Sequence, residues 1–207
     1  MKNKRIYLAS PHMSEQGYEM QFIKEAFDTN WIAPLGNNVN QFEKEIASYV
    51  NVKDAAALVS GTSAIHLALK LCDIKPNDIV FSSDLTFAAT VNPVVYEKGI
   101  PVFIDSEKQT WNMDPKALEL AFDKYPKPKA VIVVHLYGVP AKIDEIKEIC
   151  DYHKVPLIED AAESLGSTFN NQQTGSFGDY GILSLVGLKN RTRKEYTGIC
   201  ENSSKAA

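Results

Sequence analysis

Cysteine is scarce in this chain of 207 residues: Cys72, Cys150 and Cys200 are odd in number and far apart. That pattern excludes a disulfide framework and a cysteine-built zinc site, and it suits reduced thiols in a cytoplasmic protein. Histidine is scarce too, and His12, His66, His135 and His153 lack the spacing of metal ligands, so no metal is expected. No apolar run approaches the roughly 20 residues of a membrane span or forms the core of a signal peptide, so no membrane association is expected. With a net charge of −4, the chain has no basic excess to draw nucleic acid or an anionic surface. Two phosphate-binding signatures are also missing. The lysine of a Walker loop does not follow Gly61, and no G-x-G-x-x-G run occurs.

What the chain does have is alternation. With 44% hydrophobic residues it can bury a substantial core. Apolar runs at 55–60, 78–82, 101–105, 130–135, 155–160 and 181–184 read as strands, and amphipathic patterns lie between most of them. Ile65, Ala68, Leu69 and Cys72 share one helix face. Asp114-Pro115 reads as an N-cap followed by proline at the first helical position, and Ile143 to Tyr152 as a further helix. A further helix is expected after Thr86. Such a pattern predicts an α/β fold, a mostly parallel sheet with helices on both faces. The expected organisation is an N-terminal helical segment over 1–54, a ligand-binding domain over 55–189 and a polar tail over 190–207. The tail has no apolar periodicity and is expected to be disordered.

In parallel sheets, ligands bind beyond the carboxyl ends of the strands. Ser60, Asp160 and Ser184 fall at such ends, and Lys189 follows shortly after the last strand. A carboxylate and an amine placed this way could hold the two ends of one aromatic cofactor. Asp160 would pair with a pyridinium nitrogen and Lys189 would bond covalently to an aldehyde, the pairing used at pyridoxal phosphate sites. Gly61 lets backbone approach a ligand, and the amides of Thr62 and Ser63 open a helix N-terminus suited to phosphate. Phe87 could stack on a planar ring, and Ser184 could bond phosphate. Each residue also has a plainer reading: Lys189 at the surface, Ser60 or Thr62 as an N-cap, Phe87 in the core, Asp160 as a cap for the following turn.

Taken in order, Trp31-Ile32-Ala33-Pro34-Leu35-Gly36, Phe42-Glu43, Ser60-Gly61-Thr62-Ser63-Ala64, Thr86-Phe87-Ala88-Ala89-Thr90, His135-Leu136-Tyr137-Gly138, Glu159-Asp160-Ala161-Ala162-Glu163-Ser164 and Gly175-Ser176-Phe177-Gly178-Asp179-Tyr180 resemble the DegT/DnrJ/EryC1/StrS sugar aminotransferases. The resemblance covers residue 5 to about 184. It implies the large domain of a type I pyridoxal 5'-phosphate aminotransferase, with the small C-terminal domain absent. The implied activity moves an amino group from glutamate to a keto-sugar nucleotide, by analogy a UDP-linked 4-keto-6-deoxy-N-acetylhexosamine, in enzymes whose full-length forms are expected to be homodimers. Carried over by resemblance, Thr62, Ser63 and Ser184 would contact phosphate and Phe87 the ring face. Asp160 would take the ring nitrogen, Glu163 would lie beside the ring hydroxyl, and Lys189 would carry the covalent link. The chain departs from the family pattern at Leu185 and Leu188, and the glycine-rich segment expected after Lys189 is missing. A fragment that keeps the fold and binds cofactor weakly without turnover is the alternative. A related dehydratase, which carries histidine in place of the lysine, is a third reading.

Overall fold

The computed structural model describes residues 14–184 and 197–201. In chain order the helices are α1 (Tyr18–Asp28), α2 (Asn37–Val50), α3 (Gly61–Leu71), α4 (Asn92–Tyr96), α5 (Pro115–Lys124) and α6 (Ile143–His153). The strands are β1 (Asp54–Leu58), β2 (Ile79–Ser83), β3 (Ile100–Ile104), β4 (Ala130–Val134), β5 (Leu157–Asp160), β6 (Thr168–Phe169), β7 (Gln172–Gln173), β8 (Tyr180–Ser184) and β9 (Thr197–Glu201).

Seven strands form one sheet in the order β1-β9-β8-β5-β4-β2-β3. Pairs β2–β3, β2–β4, β4–β5 and β5–β8 are parallel, while β9 runs antiparallel to both β8 and β1. The mostly parallel sheet is therefore as expected, and β4, an inner strand between β5 and β2, is buried at all five residues. One face packs Phe81, Val131, Val133 and Leu157 against Leu118 and Phe122 of α5 and Ile143, Ile146 and Cys150 of α6. The other packs Val80, Ile132, Ile158 and Ile182 against Ala64, Ile65, Ala68 and Leu69 of α3. Alternate residues of each strand thus feed opposite cores, as the two-residue period of a strand requires. Helix α2 adds Ile46 and Val50 to a third cluster with Ala161 and Leu183.

Local chemistry sets the helix starts that matter. Ser60 sits in extended backbone and its Oγ accepts the Ser63 N–H at 3.1 Å, so α3 opens at Gly61, directly after β1. Asp114 caps α5 through the Lys116 N–H at 2.9 Å, with Pro115 in the first turn as expected.

Three features differ from the sequence-based expectations. After Thr86 there is a 3-10 turn (Ala88–Thr90) and then only the five-residue α4. The β-branched run and Pro93 favour a short element over a full amphipathic helix. A small hairpin, β6–β7, turns at Asn170 and Asn171, both in left-handed backbone. The expectation of a disordered tail is corrected at Thr197–Glu201, which enter the sheet between β1 and β8. Apolar periodicity reports side-chain burial, whereas a strand inserted between two others is held by backbone ladders on both edges, which periodicity does not encode. Residues 190–196 and 202–207, like Lys189, lie outside the described residues.

Candidate functional site

Because β1, β2, β4, β5 and β8 point the same way, their carboxyl ends line one edge of the sheet. Six of the expected residues emerge on or just past that edge: Gly61, Thr62 and Ser63 after β1, Phe87 after β2, Asp160 at the end of β5 and Ser184 at the end of β8. Glu163 follows in the turn after Asp160. Strands β5 and β8 are direct neighbours, with Asp160 opposite Ile182 and Ser184 two residues further on.

Asp160 is buried, and its two oxygens divide their partners. Oδ2 accepts the Thr90 hydroxyl at 2.7 Å and Oδ1 accepts the Ala162 N–H at 3.2 Å. Burial pushes its carboxyl above the usual carboxylate range, against the lowering pull of the Thr90 and Ala162 hydrogen bonds. An ionised carboxylate offers about four acceptor positions, so the described residues leave two to be filled. A ring N–H⁺ is the kind of donor that would fill one and neutralise the charge.

Phe87 is 77% exposed, which rules out its plainer reading as a core residue. It lies in the turn stitched to Asp160, because Thr86 Oγ1 and Thr90 Oγ1 on either side of it are 2.7 Å apart. In the first turn of α3, Ser60 takes the Ser63 N–H; first-turn amides have no partner within their own helix, so among the described residues those of Gly61 and Thr62 remain for a ligand or solvent. The positive end of an eleven-residue helix therefore faces the same edge as Asp160.

Glu163 is exposed, and its Oε2 accepts the Tyr137 N–H at 2.7 Å. That contact holds Tyr137 in left-handed backbone (φ 52), a conformation few bulky residues adopt. Asn112 clamps the same turn from the other side, with its side chain on Leu136 N–H and Val139 C=O at 2.9 Å each.

Sequence reasoning missed the residues beneath the site. Glu159, next to Asp160 and fully buried, faces the opposite side of the sheet. Its Oε1 accepts the N–H groups of Phe177 and Gly178 at 2.6 Å each, and its Oε2 accepts Gly175 N–H at 2.8 Å. The fourth partner is His135 Nε2 at 2.9 Å. Ala141 N–H donates to His135 Nδ1 at 3.0 Å, so the ring hydrogen sits on Nε2 and points at Glu159. The available signal was a second acidic residue in a short apolar strand, one position before Asp160 and so on the other face. Thr90, the other omission, had only its place five residues into the segment that starts at Thr86.

The pieces fit pyridoxal phosphate as the residues suggested: a buried carboxylate with spare acceptor capacity, an exposed aromatic ring and a helix N-terminus share one edge. The Lys189 amine lies outside the described residues. Among the described residues no group of three or more histidine, cysteine or acidic side chains could hold a metal, and no helix is long and apolar enough to cross a membrane.

A sequence model of the DegT/DnrJ/EryC1/StrS aminotransferase family matches residues 13–201. The chain is 56% identical over 191 residues to EpsN of Bacillus subtilis strain 168, named "Putative pyridoxal phosphate-dependent aminotransferase", covering 90% of this chain and 49% of that protein. It is 38% identical to the GDP-perosamine synthase of Caulobacter vibrioides, over 98% of this chain and 54% of the synthase. The crystal structure of an aminotransferase from Psychrobacter cryohalolentis superposes with a TM-score of 0.85 at 31% identity, covering 94% of this chain and 49% of that one. The chain thus spans about half the length of the curated relatives it matches.

Proposed function

The chain belongs to the DegT/DnrJ/EryC1/StrS aminotransferase family, and on that premise we propose that it carries the cofactor site of a pyridoxal-phosphate enzyme that aminates a nucleotide-linked keto-sugar. Glutamate is the proposed amino donor, and a UDP-linked 4-keto-6-deoxy-N-acetylhexosamine the proposed acceptor. A pair of such chains, as a homodimer of the full-length protein, is the proposed acting form. The observation that carries this reading is Asp160, a buried carboxylate at a strand end that holds only two donors among the described residues.

In the proposed mechanism Asp160 binds the ring nitrogen and keeps it protonated. The first turn of α3, with Gly61, Thr62 and Ser63, receives the phosphate, aided by Ser184. Phe87 covers one ring face and Glu163 stands beside the ring hydroxyl. Lys189 supplies the amine for covalent attachment and then moves the proton on the substrate carbon. Bound there, pyridoxal phosphate supplies an electron-withdrawing ring that stabilises negative charge on that carbon.

The test is to add pyridoxal phosphate to the purified chain, reduce with borohydride and map the modified peptide. The expected label is on Lys189, and Lys189→Ala abolishes both the label and the visible band. A label elsewhere, or an unchanged spectrum in the variant, removes Lys189 from the site. Incubation with glutamate and the keto-sugar nucleotide then separates turnover from binding alone. Release of 2-oxoglutarate supports the transferase, and its absence with the cofactor bound supports a fold-retaining fragment.

A further inference from the structure

We propose that Thr86 and Thr90 form a one-directional hydroxyl relay that keeps the Asp160 carboxylate ionised and aimed at the cofactor nitrogen. The proposal deepens the reading of Asp160 given above and rests on it.

Thr90 is buried, and its hydroxyl donates to Asp160 Oδ2 at 2.7 Å. A hydroxyl has a single hydrogen to give. Once that hydrogen is committed to Asp160, Thr90 Oγ1 can only accept from Thr86, so the 2.7 Å contact between them runs from Thr86 to Thr90. The charge on Asp160 sets this direction, because an ionised carboxylate accepts and never donates. Hydrogen bonds in series polarise one another, so the outer hydroxyl strengthens the inner bond. The 3-10 turn that carries the relay follows directly on Phe87. One short element thereby sets both the grip on the ring nitrogen and the position of the stacking ring.

The relay has work to oppose. Burial is the main influence against the charged form of Asp160, and Glu163 adds to it from the following turn. On the favourable side stand the Thr90 hydroxyl and the Ala162 N–H, while His135, just past β4, is held as a neutral ring by the Ala141 N–H. Helix α3 packs over the 3-10 turn, but its His66 is engaged with Glu97 at 2.6 Å and its Lys70 with the same carboxylate at 3.0 Å. Thr90 is therefore the one side-chain donor to Asp160 among the described residues, and its removal leaves burial less opposed.

The decisive measurement uses the chain without cofactor, by carboxyl NMR titration of Asp160 in wild type, Thr90→Val, Thr90→Ser and Thr86→Val. Thr90→Val is expected to raise the Asp160 midpoint by about one to two pH units, the worth of one hydrogen bond to a charged group. Thr90→Ser retains the hydroxyl and is expected to titrate like wild type. Thr86→Val is expected to shift the midpoint upward by less than Thr90→Val. Affinity for pyridoxal phosphate, followed by its absorption at constant pH, is expected to fall about tenfold or more in Thr90→Val and to recover in Thr90→Ser. A Thr90→Val midpoint equal to wild type, or a Thr90→Ser midpoint moved as far as that of Thr90→Val, overturns the relay. Should Thr90→Val fail to fold, Thr86→Val decides: a raised midpoint supports the relay and an unmoved one overturns it. If wild type binds no pyridoxal phosphate, the cofactor reading fails, while the Asp160 midpoints still judge the relay.

Discussion

Glu159 and Asp160 are consecutive carboxylates on one strand, both buried, yet they live in opposite electrostatic economies. Glu159 faces the α5–α6 side and receives four donors, three backbone N–H groups of the 175–178 loop and His135. Its acceptor positions are filled, so it has nothing to offer a ligand. Asp160 faces the α3 side at the sheet edge with two donors and spare capacity. The difference teaches that burial of an acid does not identify a site. What identifies one is burial with hydrogen-bonding capacity left over among the described residues, since that capacity must be met by a further donor.

The comparison is most severely tested by Glu159→Ala. Removing one member of a buried, charge-assisted network leaves His135 and three amides without their acceptor, and the expected loss is about 3–5 kcal/mol. Chemical denaturation checks it, and a loss below about 1 kcal/mol would show that Glu159 is dispensable to the fold. Asp160→Asn should do the reverse. Stability is expected to move by no more than about 1 kcal/mol, because a buried charge leaves along with the bonds it made. Affinity for pyridoxal phosphate is expected to fall by about ten- to a hundredfold, the worth of one bond between charged partners. Equal destabilisation by the two variants would erase the distinction between them.

Acid pH sharpens the contrast through a third carboxylate. Glu107 is held down to about 2 by the Thr110 hydroxyl, then by backbone N–H groups and Lys142. Its contribution to stability is present above its unfolded value of 4.5 and is lost as pH falls toward about 2. Asp160 carries the opposite sign. Its folded value lies above 3.8, so ionisation in the folded state costs stability as pH rises through that range. Glu107→Gln is therefore expected to flatten the acid limb of the stability–pH curve, and Asp160→Asn to steepen the rise of stability with pH. Thermal melts from pH 2 to 7 distinguish the two, and slopes changing in the same direction would refute the assignment. The smallest effect belongs to Glu163→Ala, which frees one exposed bond to Tyr137 N–H and is expected to cost about 1 kcal/mol or less.

Much of this architecture could be read before any coordinates. The runs 130–135 and 155–160 became β4 and β5, and the face of Ile65, Ala68 and Leu69 became the buried side of α3. Such elements declare themselves because a single period governs which side chains are buried. The 3-10 turn and α4 did not, since Pro93 and the β-branched residues around it interrupt the helical period. β9 escaped for a different reason: its place depends on the two strand edges that flank it. Within the site, Asp160 and the α3 N-terminus were recognisable from their position at strand ends, and Phe87 from its place after β2. The partners Thr90 and Glu159 were not, because hydrogen bonds across 70 residues, as between Thr90 and Asp160, leave no local trace.

By itself, the order of residues determined the alternation of strand and helix, the family, and the set of groups that could carry chemistry, because periodicity and motif spacing are local properties of a chain. Which of two neighbouring acids is spent on the fold and which is left for a ligand was decided only by tertiary structure. Strand geometry sends Glu159 and Asp160 to opposite faces, and only the folded loops determine how many donors meet each one.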